Sequence, residues 1–332
     1  MKNKQINMKK KIICTIGPSS ENKKTLKYFK KSNVDLYRIN LSHTKYTDLE
    51  KKINFLKKNI GINKICIDTE GAQIRTGYVK KPKLLKKNRK FLLGFDDSAD
   101  YQLYPFFDIS KLKVGSKVQI GFEDLVLKIT NKSKKKIECV VINSGLIESN
   151  KGVHFENNVK LKTLTEKDFK CINLASKLGV SNFALSFANK PSDIKVLRKI
   201  IKRNSTLISK IETKNALRNL NLIIKLSDAV LIDRGDLSRY VPVYQIPLQQ
   251  LKILKIAKNL KTPVYIATNL LESMVNRPSP TRAESNDVFQ CLYHGASGLV
   301  LAAETAIGNY PEKCVNFLRE SISHYKHYLN SK

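Results

Sequence analysis

The residues best suited to chemistry stand at the ends of short apolar runs. Lys210 and Glu212 lie two apart in Ile208-Ser-Lys-Ile-Glu212. Residues two apart in a strand point to the same side, so an ammonium and a carboxylate should share one cavity. Asp236 follows the next run, in Asp233-Arg-Gly-Asp236. Two hard carboxylate donors from adjacent strands, completed by substrate oxygens and water, form the usual Mg2+ arrangement. Lys210 beside such an ion is placed to stabilise negative charge that develops during a reaction. Asn40, Ser42, Asp68 and Thr69 offer oxygens from two neighbouring runs and suit a second, weaker cation. Arg234-Gly235-Asp236 opens a helix, whose backbone N–H groups can hold a carboxylate. Ser186 adds a hydroxyl at a further run's end, and Thr268 is a hydroxyl suited to a proton relay.

Any one of these groups reads as an ordinary loop or cap residue. Consecutive run ends that all finish this way require a scaffold that gathers them. Eight β-branched apolar runs recur: 12–16, 36–40, 64–69, 182–187, 206–212, 229–234, 263–268 and 298–303. Stretches with helical apolar spacing alternate with them, at 21–31, 46–58, 191–203, 215–226, 248–260, 282–294 and 311–328. A further helix starts at Thr165-Glu-Lys-Asp168, with Thr165 as its N-cap. Strand and helix alternating in this way predict parallel βα units. Eight of them close into an α/β fold, the (β/α)8 TIM barrel, whose chemistry sits at the strands' C-terminal ends. Between Gly77 and Leu161 the rhythm stops. Alternating segments at 114–120, 125–130 and 137–142, the last two separated by the Lys132–Lys136 turn, predict a small all-β domain inserted after strand three. The expected layout is a barrel of 1–77 and 161–332 with a β lid of 78–160.

Composition narrows the function classes. The 61 basic and 28 acidic residues give a formal charge of +33. Only 11 of the basic residues are arginine, and the lysines run along the whole chain. That argues for a solvated lysine surface rather than a specific nucleic-acid site, although a positive field attracts small anions. No apolar run approaches roughly 18 residues, so no membrane span is expected. The basic N-terminus reads as the lead into a first strand, not as a signal peptide. Six scattered cysteines without a CxxC pair point to a reducing cytoplasm.

At these residues the sequence resembles the pyruvate kinase family. The likeness covers nearly the whole chain through Ile13-Cys-Thr-Ile-Gly-Pro-Ser19, Arg38-Ile-Asn-Leu-Ser-His43, Asp68-Thr-Glu-Gly-Ala-Gln-Ile-Arg-Thr-Gly77, Ile208-Ser-Lys-Ile-Glu212, Arg234-Gly-Asp-Leu237, Ala267-Thr-Asn-Leu-Leu-Glu-Ser-Met274, Pro280-Thr-Arg-Ala-Glu284 and Glu304-Thr-Ala-Ile-Gly-Asn-Tyr-Pro311. It implies phosphoryl transfer between phosphoenolpyruvate and ADP to give pyruvate and ATP, with Mg2+ or Mn2+ at Glu212 and Asp236. It implies that Lys210 and Arg38 meet the transferring group and that Thr268 helps protonate the enolate. Gly235, Asp236 and Ser186 would lie on the substrate side. K+ would sit at Asn40, Ser42, Asp68 and Thr69. Arg75 and Lys151 would face the nucleotide phosphates, with Pro18 and His43 lining the nucleotide side. Barrel helices six to eight leave room for a homodimer contact.

Four departures bear on these expectations. The family's C-terminal α/β domain has no counterpart here, so its effector site and one subunit interface are expected to be absent. The family pattern Asp-Thr-Lys-Gly-Pro-Glu reads Asp68-Thr-Glu-Gly-Ala-Gln73; Gln73 replaces an acid tied to the monovalent cation, which argues against K+ dependence. The small residue before Arg-Gly-Asp is Asp233. The lid's Asp-Asp-Gly reads Phe122-Glu-Asp-Leu125. Two alternatives stay open: a diverged member using the same machinery on another substrate, and a catalytically silent regulatory relative.

Overall fold

The computed structural model describes residues 9–71, 73–121, 125–157 and 159–331. The first eight residues, and the lid position at Phe122, Glu123 and Asp124, lie outside them. Among the described residues the chain divides into two units, 9–71 with 166–331, and 73–165.

The first unit is the expected barrel. Its strands are β1 (Lys11–Thr15), β2 (Leu36–Asn40), β3 (Ile65–Asp68), β4 (Asn182–Leu185), β5 (Thr206–Ile211), β6 (Ala229–Asp233), β7 (Val264–Ala267) and β8 (Gly298–Leu301). Each pairs in parallel with its neighbours, and β8 returns to β1, with Ile13 opposite Val300. Most of these strands are buried at every residue. That follows from covering both faces, one by the barrel interior and one by helices. Ile13, Leu36, Cys66, Ala184, Ile208, Leu231 and Val300 belong to one cluster of buried side chains. Because directions alternate, Lys210 follows Ile208, and Asp233 follows Leu231, toward the same side.

The surrounding helices are α1 (Lys23–Lys31), α2 (Tyr46–Ile60), α3 (Glu166–Lys177), α4 (Pro191–Arg198), α5 (Lys214–Arg218), α6 (Leu220–Leu226), α7 (Arg234–Ser238), α8 (Ile246–Asn259), α9 (Arg282–Tyr293), α10 (Ala303–Ala306) and α11 (Pro311–Asn330). Helix α2 shows why they form. Leu49, Ile53, Leu56 and Ile60 recur on one face and are buried, and Gly61, at φ +89°, ends the helix. The single helix expected over 215–226 is split at Asn219, whose side-chain amide donates to Asn189 O at 2.8 Å and Asn215 O at 3.1 Å.

Helix α9 begins with a capping box. Thr281 N donates to Glu284 Oε2 at 2.7 Å, and Ser273 N donates to Oε1 at 2.7 Å. Partial burial alone would raise the Glu284 carboxyl, but the bonds from Ser273 and Thr281 outweigh it and hold the group below its ordinary value. A depressed folded pKa contributes stability above the unfolded value, about 4.3, and loses it as pH falls through the folded value. Glu284→Gln is therefore expected to cost about 1 kcal/mol at neutral pH, and the gap to the parent should close in acid. Urea melts at pH 7 and pH 3 measure this; a gap that stays constant would contradict it.

The second unit is antiparallel in the main. Its larger sheet runs, in spatial order, Val153–Phe155, Lys117–Ile120, Val126–Lys132, Lys136–Asn143, Lys90–Gly94, Tyr101–Tyr104 and Arg75–Thr76. Gly145–Ile147 pairs with Lys83–Leu85 in a second sheet. Leu127, Ile129, Ile137 and Val141 alternate inward to its core. The Lys132–Lys136 segment is the expected turn, closed by Ser133 N donating to Lys136 O at 2.8 Å. The unit begins earlier than the expected lid: Arg75 and Thr76, assigned above to the barrel, pair with Tyr104 and Leu103. Backbone hydrogen bonding to a partner strand, invisible in the local pattern, sets that border.

No helix among the described residues is long and apolar enough to cross a membrane. All six cysteines are buried and unpaired.

Candidate active site

The C-terminal ends of β2 to β7 bring most of the expected residues together. Asp68, the last residue of β3, is 1% exposed and bridges two cations. Its Oδ2 lies 3.1 Å from Arg38 Nη1 and 3.5 Å from Lys210 Nζ. Lys210 Nζ also lies 2.7 Å from Glu212 Oε1 and 3.2 Å from Asp233 Oδ2, and it donates to Ser186 Oγ at 3.3 Å. Burial alone would push this ammonium down, but Asp68, Glu212 and Asp233 outweigh it and hold its pKa well above the ordinary lysine value. Lys210 is thus a fixed positive charge.

The acids around it behave differently from one another. Burial pushes Glu212 up to about 8; Lys210 opposes the shift, while Asp236 and Asp233 add to it. Burial would also raise Asp233, but Lys210, Arg38 and the Asp236 N–H bring its carboxyl below the ordinary value. Ligand oxygens of Glu212, Asp233 and Asp236 lie within 4.8 Å of one another. Glu212 Oε2 accepts the Phe187 N–H. Glu212 Oε1 is buried without a hydrogen bond of regular geometry, although Lys210 stands beside it. An all-oxygen donor set of this kind fits a hard divalent cation such as Mg2+ or Mn2+.

Thr268 and Gly235 meet at the next strand end. Gly235 N donates to Thr268 Oγ1 at 2.8 Å, and Thr268 Oγ1 lies 3.3 Å from Asp233 Oδ1. Holding a substrate carboxylate on the Gly235 N–H therefore requires exchanging that bond. Thr268 has φ +68°, a conformation that costs a β-branched residue roughly 1–3 kcal/mol. Arg234 clamps it there. Its Nε and Nη2 donate to Thr268 O at 3.0 and 2.7 Å, and its Nη1 pairs with Asp287 at 2.7 Å. Asp236 pairs with Arg239 at 3.5 Å.

The four oxygen residues of the expected second cation stay close to their strand ends but are partly engaged. Asn40 Oδ1 accepts Ser42 N at 2.9 Å. Thr69 Oγ1 accepts Ser186 N at 2.9 Å, and Ser186 Oγ donates to Thr69 O at 2.8 Å. The expected nucleotide residues divide between the units. Pro18, in a turn, and His43, at the end of the short 3-10 helix Leu41–His43, are exposed in the first. Arg75 and Lys151 lie in the second, where Arg75 bridges to Gly152 and donates to Asn150 O at 3.1 Å, and Lys151 pairs with Glu148 at 2.8 Å.

Two contributors were missed as site residues: Arg234 and Asp168. Asp168 was expected three residues beyond a helix cap. It is fully buried, and its two oxygens accept the Glu70 and Gly71 N–H groups at 2.8 and 3.1 Å. It thereby pins the loop that follows Asp68. Gly71 has φ +71°, and a Cβ there would come within 2.9 Å of Ser186 Cβ, so the loop needs glycine at that point. The one available signal, an acid at a helix start, fits an ordinary cap equally well.

Comparison with known proteins adds an independent finding. Residues 7–315 match the family model described as pyruvate kinase, barrel domain. A pyruvate kinase of Thermotoga maritima is 34% identical over 321 residues, covering 93% of this chain and 69% of that protein. One of Bacillus licheniformis is 32% identical over 343 residues, covering 98% of this chain and 58% of the relative. One of Staphylococcus epidermidis is 31% identical over 349 residues, with 98% and 59% covered. The chain thus spans about three fifths to two thirds of the length of these relatives.

Proposed function

This chain belongs to the pyruvate kinase family, and from that premise we propose that it transfers a phosphoryl group between phosphoenolpyruvate and ADP, giving pyruvate and ATP. The observation that carries the reading is the Asp68 bridge, which holds Arg38 and Lys210 side by side at 3.1 and 3.5 Å. Phosphoryl transfer needs little covalent help from a protein. It needs positioning and neutralisation of charge spread over the phosphoryl oxygens. Two fixed cations at one barrel mouth provide both. The phosphorus–oxygen bond to the enol oxygen breaks and one to the terminal ADP oxygen forms; the enolate then takes a proton at its methylene carbon. Thr268, its hydroxyl held by Gly235 and near Asp233, is the group we assign to that proton's path. Glu212 and Asp236 would hold a divalent cation, which supplies charge neutralisation at the substrate oxygens when bound. Arg75, Lys151, Pro18 and His43 would serve the nucleotide. The family reading carries a cytoplasmic location with it.

The test is a coupled assay with phosphoenolpyruvate, ADP and Mg2+. ATP and pyruvate are expected in equal amounts. Adding K+ should change the rate little, because Gln73 stands where the family has an acid. Absence of turnover with divalent-cation binding intact would overturn the proposal. It would favour a member acting on a less anionic substrate, the reading to which the inward Asp233 points, and phosphorylated sugars would then be the compounds to screen.

A further inference from the structure

Asp233 has no part in the transfer steps, yet it is built into the centre of the site. It ends β6 and is 5% exposed. One carboxylate oxygen lies 3.2 Å from Lys210 Nζ and the other 3.3 Å from Thr268 Oγ1. An oxygen of the same side chain lies within 4.8 Å of ligand oxygens on Glu212 and Asp236. Formal charge then decides what the centre attracts. Arg38, Lys210 and Arg239 face Asp68, Glu212 and Asp236 there, and Asp233 lowers the formal charge of that group by one, with or without a divalent cation.

We propose that Asp233 is a specificity-determining residue, which adds a third carboxylate to the divalent-cation group and competes with anionic substrate for Lys210. The inference rests on the phosphotransfer reading of this site. A unit charge about 4 Å away in a surface-like dielectric alters binding by roughly tenfold or more, in opposite directions for a cation and an anion. The site would hold its metal tightly and its phosphorylated acid weakly, and would tolerate substrates of lower charge.

Asp233→Asn keeps the shape and removes the charge. Calorimetric titration of the substrate-free protein with Mn2+ alone is expected to show about a tenfold loss of affinity. Titration with inorganic phosphate at saturating Mn2+ is expected to show about a tenfold gain. Asp233→Ala should move both in the same directions, and Asp233→Glu should keep the parent's metal affinity within a few-fold. Thermal melts identify which variants are folded, and one folded neutral variant is enough to decide. Unchanged Mn2+ affinity, or phosphate binding that stays equal or weakens, overturns the role. Neither titration depends on phosphoenolpyruvate turnover. A parent chain without turnover whose affinities still shift as stated defeats the transferase reading and leaves the role of Asp233 standing; turnover without the shifts does the reverse.

Discussion

Replacing Lys210 with Met is expected to cut turnover sharply and destabilise the fold while leaving divalent-cation affinity equal or higher. The ammonium is 5% exposed and lies 2.7 to 3.5 Å from oxygens of Glu212, Asp233 and Asp68. Methionine fills the space but leaves three buried acids without their shared partner. Breaking a buried pair in this way costs about 3–5 kcal/mol. Lysine has a raised folded pKa here, so its contribution is complete below the ordinary value of about 10.4. It is lost only as pH rises through the higher folded value, so the ammonium stays charged across neutral pH. The penalty for removing it should grow with pH as Glu212, already pushed up to about 8, is forced to ionise without its partner. Turnover should fall by roughly 10²–10³, the cost of removing one charge-stabilising donor. Mg2+ binding should not suffer, because a competing positive charge has gone. Mg2+ should therefore raise the melting temperature of the variant more than that of the parent. Calorimetric melts with and without MgCl2, beside the coupled assay, test each part. Full activity in the variant would remove Lys210 from the mechanism, and an unchanged melting temperature would deny that it holds the acids together.

Asp168→Ala is expected to lower stability by about 3 kcal/mol or more and to reduce turnover, although the residue touches no reacting group. Its carboxylate accepts two N–H groups, from Glu70 and Gly71, in a fully buried setting. Hydrogen bonds to a charged group contribute about 1.5–3 kcal/mol each, and alanine leaves both donors buried without them. The loop that moves is the one following Asp68, the acid that holds Arg38 and Lys210 together. A displacement of about 1 Å at such a site costs on the order of 10²-fold in rate. Asp168→Asn keeps one good acceptor and should lose about half as much stability. Urea unfolding of both variants measures the first effect. The second should appear chiefly in kcat and be partly rescued in the Asn variant; an alanine variant within 0.5 kcal/mol of the parent would sink the idea that this acid pins the loop.

The barrel was legible because its signals are local. All eight apolar runs became the eight strands to within two residues at either end. A strand buried on both faces must be apolar throughout, and no neighbour is needed to read that. Lys210 and Glu212 were legible for a similar reason, since a period of two dictates their common side. The second unit was less so. Its strands at 83–85, 90–94, 101–104, 145–147 and 153–155 are five residues or shorter, too brief to show alternation, and they were not foreseen individually.

Residue types, spacing and strand ends were thus determined by the sequence itself: which groups reach the mouth of the barrel, and from which strand. Closure of the barrel decided which of them touch. The Asp168 contact with Glu70 joins residues 98 apart, and the Arg234 clamp on Thr268 joins residues 34 apart. The choice of Asp68 as the bridge between Arg38 and Lys210 likewise depends on the register of β2, β3, β4 and β5. Periodicity is a property of one segment and can be read along the chain. Hydrogen bonds and ion pairs between strand ends depend on how far each strand is shifted against the next, and that offset is settled only when all eight close and their apolar sides are buried together.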